Sequence, residues 1–421
     1  MKLSLSASAI VILIVGTAAF EINKDKEFHM IRAKKYHLNA SQLRAHRHHL
    51  RSGNSQFAYP SEPFVTSIEL GKSEQPFTVS LETALDGLWL AGSRRNIFSD
   101  PDVKIFDPKN PNNSATDLDQ IGGHSGVTYS VGGDTYSDKV TLFVPTNQTF
   151  ISTDSGSWHP FLFYYHNKQL SGAFGLSWDV NLKNEKVTNN SAPILNLFAA
   201  APELPRFYVQ AVGKNLTEHY SCSITSFGNE LDEICDSNVV TSAALSSISR
   251  PYLPNSGIVA PEFRLDSFSL QDQTAKGDWV IIDSSLPIII LSEDALDVVY
   301  RIIQPDYDFR NEIFTTDCNN PRKFDDFVFK VNGVELRVPS TSYIYDIGLD
   351  NGQCALAVDY TSYFSSTPYV LGTPIQYNYC VKFSIDDSTV SFQKYITDID
   401  KATMRQSKSD DEHFVNILNF Q

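Results

Sequence analysis

Two short acidic loops, one in each half of the chain, close apolar strand-like runs, and no other feature limits the fold as much. Residues 81–92 read Leu-Glu-Thr-Ala-Leu-Asp-Gly-Leu-Trp-Leu-Ala-Gly, and residues 280–291 read Val-Ile-Ile-Asp-Ser-Ser-Leu-Pro-Ile-Ile-Ile-Leu. Glu82 and Asp283 therefore stand at matching places. Each is followed by a later apolar segment with glycine: Phe174-Gly175-Leu176 comes 93 residues after Glu82, counted to Gly175, and Val370-Leu371-Gly372 comes 89 after Asp283, counted to Gly372. A duplicated lobe is the economical explanation of both echoes.

From residue 64 onward, short alternating or β-branched runs are broken by Gly, Pro, Asn, Asp and Ser, the pattern of many strands and tight turns. Phe64 to Leu70, Phe77 to Leu81, Lys139 to Val144, Phe161 to Tyr165 and Phe327 to Val331 are expected strands. Helical signals are few. The best starts at Ser292 as N-cap, with acids in the first turn and apolar residues at 296, 299 and 303; a shorter one covers Ala192 to Ala201. The class is therefore all-β. At 421 residues and 42% apolar composition, the chain can bury two medium cores.

The start, residues 1–20, has Lys2, an apolar run Ala7 to Val15 and the small residues Gly16 to Ala19, the layout of a cleaved signal peptide. It is too short to span a bilayer. Secretion into an extracellular or lysosomal lumen fits the five glycosylation sequons at Asn39, Asn112, Asn147, Asn189 and Asn215. It also favours disulfides. The cysteines are Cys222, Cys235, Cys318, Cys354 and Cys380, an odd number, so one thiol stays free or pairs between chains. None has the close spacing of a zinc site.

Charge is unevenly placed. Of the 34 Lys and Arg, nine lie in residues 1–60 with only three of the 49 acids, which leaves 25 basic against 46 acidic residues in 61–421, a formal −21. An acidic body repels phosphate and argues against a nucleic-acid partner. Residues 21–60 read either as a solvated linker or as a basic propeptide-like segment that covers an acidic cleft with Lys34, Lys35, Arg44 and Arg47. The His-Arg-His-His run at 46–49 has no second ligand group at fixed spacing, so neither a metal nor any other cofactor is expected. Residues 396–421 form a polar tail with the acidic cluster Asp410-Asp411-Glu412.

Taken in order, Phe64-Val-Thr-Ser-Ile-Glu-Leu-Gly71, Gln75-Pro-Phe-Thr-Val, the Glu82 loop, Leu88-Trp89, Thr128-Tyr129-Ser130 with Gly132-Gly133, Ser171 to Leu176, Trp279 to Asp283 and Tyr369 to Gly372 are collinear with a known pattern. The chain resembles the pepsin-like aspartic proteases over about 60–395, and the nematode-type secreted members especially. The resemblance implies a bilobal, pseudo-twofold β fold, here divided into an N-terminal lobe over 61–214 and a C-terminal lobe over 215–395. It implies a monomer with an interlobe cleft that binds an extended peptide or protein through main-chain hydrogen bonds. Tyr129 falls on the flap tyrosine, and Trp89 stands where it can hydrogen bond to it. Cys318 and Cys354 resemble the second lobe's disulfide pair, and Cys235 and Cys380 fall where nematode-type members carry cysteine, which suggests that they pair.

The family's chemistry needs two coplanar carboxylates that share a proton and hold a water. Glu82 is a carboxylate one methylene too long, which moves its oxygens by about 1.5 Å, and a misplacement near 1 Å can cost on the order of 100-fold in rate. Ala84 and Ser285 replace both motif glycines and bring a Cβ beside the expected water. Leu85 and Leu286 replace the hydroxyl residues that orient the acids in the family, so poorly positioned acids are expected. Thr83 and Ser284 keep the hydroxyls that in the family tie the two loops together. Two readings follow. One is an impaired homologue that binds peptide or protein, or serves as a structural glycoprotein; the other is a working acid endopeptidase with a Glu/Asp dyad. Serine and metal hydrolase motifs, Gly-x-Ser-x-Gly and His-Glu-x-x-His, do not occur.

Overall fold

The computed structural model describes residues 29–34, 64–92, 104–111, 113–125, 129–158, 170–188, 191–215, 220–232, 234–247, 250–253, 256–258, 260–308, 313–318, 324–346, 349, 352–360 and 369–396. The signal peptide, Asn39, Asn112, Asn189, the histidine run, the expected strand Phe161 to Tyr165 and residues 397–421 lie outside these. So do Lys35, Arg44, Arg47 and the side chain of Cys222.

Both halves are built around the same four-strand arrangement. In the first, Gln75–Glu82 runs parallel to Gly172–Gly175, which is antiparallel to Leu88–Ala91, which in turn runs parallel to Pro145–Trp158. In the second, Trp279–Ile282 runs parallel to Tyr369–Leu371, which is antiparallel to Ile289–Leu291, which runs parallel to Val358–Tyr360. Identical order and sense make the halves pseudo-twofold copies. These inner strands are buried on both faces, as Trp279–Ile282, Ile289–Leu291 and Tyr369–Leu371 almost entirely are, and so they read as continuous apolar runs and not as alternations. Phe64–Leu70 is a contrasting outer strand: Phe64, Thr66, Ile68 and Leu70 are buried while Glu69 faces solvent.

The first half closes as a seven-stranded sheet. Its far edge is the hairpin of Thr116–Ser125 and Tyr129–Thr141, and Tyr129–Thr141 also pairs back with Phe64–Leu70. The expected strand Lys139 to Val144 is therefore the end of a longer strand that stops at Thr141, followed by a bend. In the second half, two four-stranded sheets flank the core, and helix Glu293–Ile303 buries Leu296, Val299 and Ile303 as its spacing predicts. Ser292 Oγ caps it by accepting from the Ala295 amide at 3.3 Å.

A six-stranded antiparallel sheet underlies both halves in the order His29–Lys34, Tyr220–Phe227, Phe207–Asn215, Tyr379–Ser384, Thr389–Tyr395 and Cys235–Ala244. The 214/215 division falls at the last residue of one of its strands. Tyr208 and Phe383 stack across it at 5.0 Å, with Trp178 edge-on to both. The Cys235–Cys380 disulfide joins its strands with Cα atoms 6.0 Å apart, and Cys318–Cys354 joins strand ends elsewhere at 5.0 Å. From the basic N-terminal segment, His29–Lys34 docks on the body as this sheet's edge strand.

Two glycines let the acid loops pack on their neighbours. A Cβ on Gly175 would fall 2.1 Å from the Leu85 carbonyl oxygen, and one on Gly372 would fall 2.1 Å from that of Ile288 and 2.4 Å from that of Leu286. Neither backbone can yield without moving an acid loop. Gly372→Ala is therefore expected to cost about 3 kcal/mol in denaturant unfolding. Gly123→Ala, whose Cβ would meet only the Val131 carbonyl at 3.4 Å, should cost far less.

Candidate active site

Glu82 is the last residue of its strand and pairs with Gly175, while Asp283 follows Ile282, which pairs with Leu371. The residue after each acid reaches across to the opposite loop. Thr83 Oγ1 donates to the Ile282 carbonyl at 2.7 Å and accepts from the Ser284 amide at 3.0 Å. Ser284 Oγ donates to the Leu81 carbonyl at 3.0 Å and accepts from the Thr83 amide at 3.2 Å. Four reciprocal bonds between residues about 200 apart in sequence thus set the loops side by side. Both acids are almost fully buried, Glu82 at 1% and Asp283 at 2% exposure.

The surroundings of each carboxyl differ from the sequence expectation in one respect. With leucine at 85 and 286 the outer hydroxyls are gone, yet each acid is oriented by another serine. Ser80 Oγ donates to Glu82 Oε1 at 2.7 Å. Asp283 Oδ1 accepts from the Ser285 amide at 2.9 Å and from Ser285 Oγ at 2.6 Å. The donors present thus lie at i−2 on one loop and i+2 on the other. Alternation along the strand puts Ser80 on the same face as Glu82, a signal readable in the sequence. Ser285 acts as a donor as well as a source of crowding.

The hairpin closes from above. Tyr129, the first residue of the returning strand, donates its hydroxyl proton to Glu82 Oε2 at 2.6 Å and accepts from Trp89 Nε1 at 3.1 Å. The two rings meet edge to face at 6.0 Å. Sequence reasoning placed Tyr129 and Trp89 together; it missed the contact to Glu82. It also missed Asp86 and His124, whose Oδ1 and Nδ1 lie 3.8 Å apart. Desolvation raises Asp86 to about 6, helped by the charge of Asp179, and lowers His124 to about 4. Both shifts disfavour the charged forms, so burial works against an ion pair at this contact.

Burial likewise pushes Asp283 up to about 6, although both Ser285 hydrogen bonds oppose the shift. Among the described residues, one grouping of metal-ligating side chains comes within reach of a shared ion, Cys318, Cys354 and Asp346, and its thiols are joined in the disulfide. Of the sequon residues, Asn147 is exposed and Asn215 ends a strand.

Paired acid-bearing loops, tied by Thr83 and Ser284 beneath a hairpin that carries Tyr129, within two copies of one β arrangement, define a pepsin-like fold. The family model for eukaryotic aspartyl protease matches residues 63–395, and the chain belongs to that family. It is 24% identical over 344 residues to aspartic protease 17 of Caenorhabditis elegans, covering 79% of this chain and 83% of that protein. It is also 24% identical over 370 residues to aspartic protease 1 of the same organism, covering 84% and 87%.

The raised Asp283 sets a sign for pH dependence. A carboxyl whose folded pKa lies above its unfolded value binds its proton more tightly when folded, so its burial destabilises the protein above about pH 6 and is relieved toward pH 4. Asp283→Asn should therefore be more stable than the unsubstituted protein at pH 7, by about 3 kcal/mol. That gap should close between pH 6 and 4 in melting curves of the two proteins.

Proposed function

We propose that this chain is a secreted aspartic-protease homologue that binds an extended peptide or protein between lobes 61–214 and 215–395, with hydrolysis impaired. Residues 1–20 serve as its signal peptide, 21–60 as a propeptide-like segment and 396–421 as a tail, and the binding unit is a monomer without a nucleic-acid partner or transmembrane anchor. Pepsin-like proteases are typically secreted or lysosomal and bind peptides in their cleft. No described helix is long and apolar enough to cross a membrane. The two disulfides and the exposed Asn147 fit an oxidising, glycosylating route.

One observation carries the impairment: the longer Glu82 side chain already has its two oxygens engaged by Ser80 and Tyr129. A dyad activates water only if the acids reach it in a shared plane. Ala84 and Ser285 add side-chain atoms where the family has glycine, and Ser285 Oγ sits on Asp283 Oδ1 at 2.6 Å.

A second reading, a working acid endopeptidase, is favoured by the Asp283 carboxyl raised to about 6 and by the regained serine donors. Such a group stays protonated under mild acidity and supplies the donor of a shared-proton pair. An acid-pH peptidase assay of the processed protein separates the two. Background turnover is expected, and activity appears only when Glu82→Asp, Ala84→Gly and Ser285→Gly are combined. Robust turnover of the unsubstituted protein, abolished by Asp283→Ala, would establish the second reading instead.

A further inference from the structure

We propose that Glu82 is a latch that holds the hairpin of Thr116–Ser125 and Tyr129–Thr141 shut over the paired loops, so that the resting groove is closed and any occupant must break this bond to enter. The inference rests on reading the groove as a peptide site, and adds to it how that site is kept.

Length is what gives glutamate this role. Tyr129 donates to Glu82 Oε2 at 2.6 Å. Removing one methylene would draw the oxygen back by about 1.5 Å, beyond hydrogen-bond reach. An aspartate could not make this contact from the same backbone. Ser80 fixes the other oxygen at 2.7 Å, so the carboxylate is aimed and not merely near. The Trp89 N–H feeds the Tyr129 oxygen at 3.1 Å, which makes a chain of donors running in one direction, Trp89 to Tyr129 to Glu82. Donors aligned this way polarise one another, and a chain ending on a carboxylate is the strong case.

The hairpin is also held at two further points. On its outgoing strand, His124 lies against the acid loop so closely that a Cβ on Gly87 would fall 2.0 Å from the imidazole ring. Strand Ser256–Ile258, which belongs to the second half, packs against that same outgoing strand, Thr116–Ser125. The hairpin thus touches the first acid loop at Glu82 and Gly87 and the opposite half at Ser256–Ile258.

The latch also selects what can enter. An occupant that displaces Tyr129 is favoured when it offers an N–H or O–H donor to Glu82 Oε2, because that replaces the charge-assisted bond it breaks. A peptide backbone or a hydroxyl offers such a donor; a purely apolar ligand does not.

Hydrogen–deuterium exchange of the ligand-free protein tests this directly. In Glu82→Asp and in Tyr129→Phe, amides in the hairpin strands should exchange about tenfold faster, the loss of one charge-assisted bond. Amides in the underlying sheet, Phe207–Asn215 and Tyr220–Phe227, should be unchanged. Unchanged hairpin exchange in both variants would overturn the latch, and so would an equal rise in the underlying sheet, which would mean general destabilisation. As a second readout, a hydroxyl-bearing peptide mimic should bind Glu82→Asp with an association rate about tenfold higher. Binding to neither protein would sink the peptide-site reading while leaving the exchange result to judge the latch.

Discussion

The reciprocal bonds of Thr83 and Ser284 are the constraint on which the rest of this molecule depends. Each hydroxyl donates to a carbonyl of the opposite loop and accepts an amide from it, so four polar groups that would otherwise be buried unpaired are satisfied at once. Losing either side chain would strand a buried amide and a buried carbonyl together. Because the acids immediately precede these residues, their placement follows from the same four bonds. Gly175 and Gly372 hold the loops from beneath, since only a missing Cβ allows the carbonyls of Leu85 and Ile288 to come so near.

On that frame the residues around the two acids differ from the family pattern, yet each acid has a serine donor. Both outer hydroxyls have become leucine, and both motif glycines have acquired side chains, yet Ser80 and Ser285 each supply a hydroxyl to the acid nearby. A hydroxyl donor is thus present on each carboxyl. Glu82, by accepting from Tyr129, ties the first acid loop to the hairpin.

Much of this was legible in the chain, for identifiable reasons. The duplicated acid loops with their later glycines gave the pseudo-twofold arrangement, because parallel strands buried on both faces must read as unbroken apolar runs, and Trp279–Ile282 and Tyr369–Leu371 do. Helix Glu293–Ile303 was readable from its serine cap and spacing. Tyr129 and Trp89 were placed together through resemblance, and the structure brings them into hydrogen-bond contact. The substitution of the outer hydroxyls was also visible, but the serine donors that lie on the acids were not. Sequence shows which donor left and is silent on which donor replaced it, since Ser285 is a serine among serines until its hydroxyl is seen 2.6 Å from Asp283.

By itself, then, the sequence determined the class of fold and the matching places of the Glu82 and Asp283 loops through strand patterning and the internal echo, while the resemblance to the pepsin-like family implied the roles of Thr83 and Ser284. Only the tertiary structure decided that Glu82 bonds the hairpin, that His124 lies on Gly87 and that Asp283 is held by its own loop. Those contacts join side chains whose meeting depends on distances of a few tenths of an ångström between separately folded strands, and residue order along the chain does not encode such distances directly.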